Sequence, residues 1–90
     1  MSLQLDGDIQ KFEEAAAAGD PGALYDLGLI YSTGRDGTPG DYVIAHKWFN
    51  LAVLRGYEPA LVERAEVALQ MSHEEISQAQ RLAREWVATH

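Results

Sequence analysis

Gly34, Gly37 and Gly40 lie just ahead of a helical pattern, the setting in which backbone N–H groups cradle a phosphate. That chemistry needs more than glycine. No Gly-Lys-Ser/Thr follows, no strand pattern precedes the loop, and Asp36 and Asp41 put negative charge where the anion would sit. A connector between helices is the better reading. The same two aspartates suggest calcium, but the spaced acids ending in a bidentate glutamate are missing. His46 and His73 fall on different helical patterns and His90 is terminal, so the three histidines offer no metal spacing. His73-Glu74-Glu75 has the opening of a zinc-protease helix, yet no second histidine follows one turn later. Glu13-Glu14 and Glu74-Glu75 are adjacent acids near helix surfaces, suited to solvation or to the helix dipole rather than to a general acid–base couple. No serine or threonine stands in a pattern with a base and its orienter. This inventory predicts no enzyme, no metal and no cofactor.

The elements that must position these residues are helical. The chain has 90 residues, one domain's worth, with 47% apolar and 23% charged residues, a globular balance rather than a disordered one. The longest apolar runs, such as Ala15–Ala18 and Leu51–Leu54, are far short of the ~20 residues of a membrane span. A net charge of −7 argues against a nucleic-acid partner. Zero cysteines exclude disulfides, thiolate metal sites and a cysteine nucleophile. Met1-Ser2-Leu3-Gln4 has neither a basic n-region nor an apolar h-region, so the expected compartment is the cytoplasm, or the periplasm if a signal peptide has been removed.

Gly and Pro punctuate five helical segments. Leu5, Ile9, Phe12 and Ala16 form one stripe ending at Gly19. Asp20 as N-cap and Pro21 at the first helical position open the second helix, whose stripe is Ala23, Leu24, Leu27, Gly28 and Tyr31, with Gly34 as stop. The third starts near Asp41 with Ala45, Trp48, Phe49 and Ala52 on one face, widened by Ile44 and Leu51, and with His46, Lys47 and Asn50 as its polar side. The fourth opens at Glu58-Pro59 and carries Leu61, Ala65 and Ala68. The fifth has the capping box Ser72-His73-Glu74-Glu75 and the stripe Ile76, Ala79, Ala83 and Trp86.

The chain also repeats. Gly19-x-x-x-Ala23-Leu24 recurs as Gly56-x-x-x-Ala60-Leu61, an offset of 37 residues, and the same offset carries Phe12, Ala15 and Gly19 onto Phe49, Ala52 and Gly56. A helix–loop–helix period of this length predicts stacked antiparallel hairpins, none of which buries its apolar stripe alone.

Tyr31-x-x-Gly34, then Asp41-Tyr42-x-x-Ala45-x-Lys47-Trp48-Phe49-Asn50-Leu51-Ala52, then Gly56 and Ala60, resemble the Sel-one-like repeat, a relative of the tetratricopeptide repeat. Ala23-x-x-x-Leu27-Gly28-x-x-Tyr31 is similar to the first-helix signature of both families, and the tail from Met71 through Ile76, Ala79, Leu82 and Ala83 to Trp86 is similar to segments that close bacterial members. The resemblance implies an all-α, right-handed superhelical stack of hairpins. The domain is then a half repeat over 5–18, a full repeat over 19–56, a first helix over 57–70 and a capping helix over 71–88. In the fourth helix Arg64, Glu66 and Ala68 stand where the first copy has Leu27, Leu29 and Tyr31, so the second copy has lost its signature. Leu27, Gly28, Tyr31, Ala45, Trp48, Phe49, Ala52 and Trp86 are the expected core. Gly28 and Ala45 are small where paired helices approach to ~8–10 Å.

What remains for function is a surface. First helices of stacked hairpins line a concave side, where the second helix offers Tyr25, Leu29, Ser32 and Thr33 and the fourth Val62, Glu66, Leu69 and Gln70. These suit a peptide or partner helix with basic residues. The alternative is that Tyr25 and Leu29 are covered by the fifth helix folding back. Two functional expectations stand together: an interaction module for a protein or peptide partner, acting as a monomer or weak homodimer, or a structural or self-associating cap. A third, by resemblance to some bacterial members, is an accessory or enzyme regulator in the periplasm.

Overall fold

Helix ends are written into this chain by residues that satisfy orphan backbone groups. The computed structural model describes residues 5–34 and 40–90, with side chains from Ile9 onward. Five helices follow in order, α1 (Leu5–Ala17), α2 (Pro21–Thr33), α3 (Tyr42–Leu54), α4 (Pro59–Ala68) and α5 (His73–Thr89), and no strand is present among the described residues. Asp20 caps α2, its carboxylate accepting from the Gly22 and Ala23 N–H groups at 3.0 and 3.4 Å, with Pro21 at the first position where no N–H is needed. Gly34 ends α2 by donating its N–H to the Ile30 carbonyl. Asp41 caps α3 through the Ile44 N–H at 3.1 Å. The box at α5 is reciprocal: Glu75 N–H donates to Ser72 Oγ at 3.1 Å, and Ser72 N–H to the Glu75 carboxylate at 2.8 Å. Arg35, Asp36, Gly37 and the rest of the predicted connector through 39 lie outside the described residues, as does the side chain of Leu5.

The two turns related by 37 residues share one geometry. Gly19 N–H donates to Ala16 O and Asp20 N–H to Ala15 O; Gly56 N–H donates to Val53 O and Tyr57 N–H to Ala52 O, all at 2.9–3.0 Å. This is the paired bonding of a Schellman end, and it requires the left-handed φ of +94° and +84° at the two glycines.

α3 is the hub. It packs on α2, α4 and α5, while α2 also packs on α1. Its apolar residues accordingly run nearly all round, as a buried helix requires. Ala45, Phe49 and Ala52 are fully buried, Trp48 and Leu51 nearly so, alongside Leu24, Leu27 and Ile30 of α2 and Ala16 of α1. A side chain at Gly28 would overlap the Phe49 ring, which is why that position is glycine. Tyr31, expected in the core, is half-buried against it; so are Ile9 and Phe12 of α1. On α5, Ala79 and Ala83 are buried and Ile76 and Trp86 half-buried, as the stripe predicts.

Two expectations about faces are corrected. His46 is not on a polar surface: only 4% of it is exposed. Lys47 and Asn50 beside it are half-buried. With α4 and α5 both resting on α3, little of that helix is left to solvent. In α4 the buried residues are Ala60 and Val67, whereas Leu61 and Ala65 of the expected stripe are exposed and Ala68 is half-buried. α4 turns its Ala60 side to α3, and α5, the next helix, settles on α3 instead of on α4.

Candidate functional site

The residues expected to form a concave site come from α2 and α4, and the fold treats the two sets differently. Tyr25 is not outside the packing stripe. Its ring lies 5.8 Å from that of Phe49 and 5.1 Å from that of Tyr57, both tilted, and it is half-buried against the core. Burial first, then the negative charge of Glu63, pushes its hydroxyl above the ordinary tyrosine range, so it stays a neutral donor. Leu29 is likewise half-buried on the core. The cover over Tyr25 is Tyr57 from the α3–α4 turn, not α5 as the alternative expected, because Tyr57 follows the Schellman turn at Gly56 and swings back toward α2. The hydroxyls of Ser32 and Thr33 both donate to the Leu29 carbonyl, at 3.2 and 2.7 Å, and are engaged with their own helix.

The α4 set is in solvent. Val62 is 64% exposed and Leu69 83%, and Glu66 and Gln70 are exposed beside them. The Tyr25–Tyr57 ring contact at 5.1 Å sets the start of α4, two residues on at Pro59, beside α2. Helical spacing puts Leu61, Val62, Ala65 and Leu69 on one strip of α4, opposite Ala60 and Val67. Pattern reading put Val62 and Leu69 on this surface but missed Leu61 and Ala65, which it assigned to the core. Arg64 in place of a buried leucine was the available signal.

Between α3 and α4 lies a polar seam. Arg64 Nη1 donates to Asn50 Oδ1 at 2.6 Å. His46 is buried there with Nδ1 lacking a hydrogen-bond partner among the described residues. Burial, and secondarily the Arg64 charge, lowers its pKa below the usual histidine value and keeps the imidazole neutral. On another side of α3, Lys47 Nζ sits 4.2 Å above the Trp48 ring. Burial lowers its pKa while Glu13 of α1 and Glu85 of α5 oppose the shift. Trp48 meets Trp86 edge-on at 6.0 Å, and Trp86 stacks on His90 at 4.1 Å. Trp48 Nε1 also lacks a partner among the described residues.

No group of three or more His, Cys, Asp or Glu side chains is placed to hold a metal among the described residues, and His73 is exposed at the first turn of α5. None of the described helices is long and apolar enough to cross a membrane. The chain matches no family model, no curated protein and no solved structure.

Proposed function

We propose that this chain is a protein–protein interaction module, without catalytic chemistry, that holds a peptide or protein partner on the side shared by α2 and α4. The carrying observation is the exposure of Val62 on α4 and Leu69 at its C-cap, large apolar side chains left in water next to the exposed Glu66 and Gln70. Support for a stack of Sel-one-like, tetratricopeptide-like hairpins comes from the matched Schellman turns at Gly19 and Gly56. In such a stack α2 and α4 are equivalent first helices on the concave side. Tyr25 and Leu29 then act as the floor rather than the contact, since both support the core.

The test is capture of partners from native lysate by the tagged wild type and by Val62→Arg/Gln70→Arg. These positions are exposed, so the double variant should melt within a few degrees of wild type while losing the captured partner. Unchanged capture at unchanged melting would remove α4 from the binding surface. The rim of α3 around His46, Lys47 and Asn50 is no substitute, because those residues are packed against neighbouring helices.

A further inference from the structure

The 37-residue offset lays Leu24 of α2 on Leu61 of α4 and Gly28 on Ala65. In the first copy this stripe is closed: Leu24 is fully buried, and the Phe49 ring of α3 lies against Gly28. In the second copy nothing closes it. Leu61 is 45% exposed, Leu69 83%, and Ala65 is exposed between them, because α5 spends its Ala79, Ala83 and Trp86 face on α3. Resting on the interaction reading above, we propose that this outer stripe of α4 docks one helix of a partner protein that carries bulky apolar side chains flanked by lysine or arginine.

The shape follows from the covered copy. α2 receives α3 through Gly28 with Leu24 one turn before it; Leu61 and Ala65 repeat that pair, and Leu69, where α2 has Ser32, extends the apolar strip by a turn, with Ala65 small enough for close helix approach.

The charge follows from the rim. Glu58, three residues before Leu61, and Glu66, next to Ala65, are exposed and make no ion pair among the described residues. Basic groups on the incoming helix would meet them. A second copy of this chain would instead bring acids against acids. The stripe fits one amphipathic helix seated on it.

The probe is a fluorescently labelled synthetic helix of about 18 residues with a Leu/Phe stripe and Lys/Arg flanks, titrated with the full chain and followed by anisotropy. Two further peptides share its length: one has the same composition with the stripe scrambled, the other keeps the stripe but carries Glu flanks. The striped basic peptide should bind, the other two at least tenfold more weakly, and Leu61→Glu/Leu69→Glu should lose at least tenfold while melting as wild type. Equal binding of the scrambled peptide, or full binding by that variant, would overturn the proposal. So would sedimentation showing a dimer that the same variant disperses, since the occupant would then be a second copy. Failure of the peptide to bind, with partner capture still abolished by Val62→Arg/Gln70→Arg, would remove the outer stripe and leave the α2–α4 interaction reading standing.

Discussion

Trp48 joins two helices: it is buried on α3, covered by Lys47 of the same helix, and met edge-on by Trp86 of α5. Trp48→Ala should cost ~3–5 kcal/mol, and for a domain of this size the thermal midpoint should fall by roughly 12 °C or more; differential scanning calorimetry reads it directly. His46 carries the second prediction at this scale. Its folded pKa lies below the unfolded value of 6.5, so the unfolded chain binds the proton more readily. Stability from the neutral imidazole is complete above pH 6.5 and is lost as pH falls from there through the folded pKa. Between about pH 7 and about pH 5, the midpoint of wild type should therefore fall more steeply than that of His46→Leu. Trp48 was legible as an anchor because its apolar stripe is unambiguous. His46 was not, because a histidine next to Lys47 and one turn from Asn50 reads as surface until α4 is known to cover it.

Among the elements, every helix and nearly every cap was legible, because Asp20, Asp41, Gly34 and the Ser72–Glu75 box act on backbone groups a few residues away. Local chemistry decides such features. The facing of α4 was not legible, since Leu61, Ala65 and Ala68 make as good a stripe as Ala60, Arg64 and Val67. The choice depended on where α5 went. The paired turns give a test that belongs to this scale. Gly19→Ala and Gly56→Ala each place a Cβ at a strongly positive φ, and each should cost ~1–2 kcal/mol. Gly56 has open space around the added methyl, whereas at Gly19 the Arg55 guanidinium lies 3.3 Å away and must yield slightly. Urea melts of the two variants should show near-equal losses, with Gly19→Ala the larger.

For the whole molecule, 14 acidic against 7 basic residues leave a net charge of −7; among the described residues the Arg81–Glu85 pair, at 3.8 Å, is solvent-exposed and worth little. Screening that self-repulsion should raise the thermal midpoint as sodium chloride is increased from low ionic strength, and a flat response would mean the acids are dispersed too widely to matter. Composition alone made this charge visible, and the spacing of glycine and proline alone made the five helices visible. The order of helices around α3 needed the structure, because it is set by long-range competition between α4 and α5 for one hub. The two indoles that secure α5 to that hub have a spectroscopic consequence. Held 6.0 Å apart with their planes at 78°, Trp48 and Trp86 are chromophores close enough for their ultraviolet transitions to mix. Their circular dichroism should carry an excitonic couplet that neither tryptophan produces alone. Trp86→Phe should erase it, leaving the protein with a built-in optical signal for whether its last helix is seated.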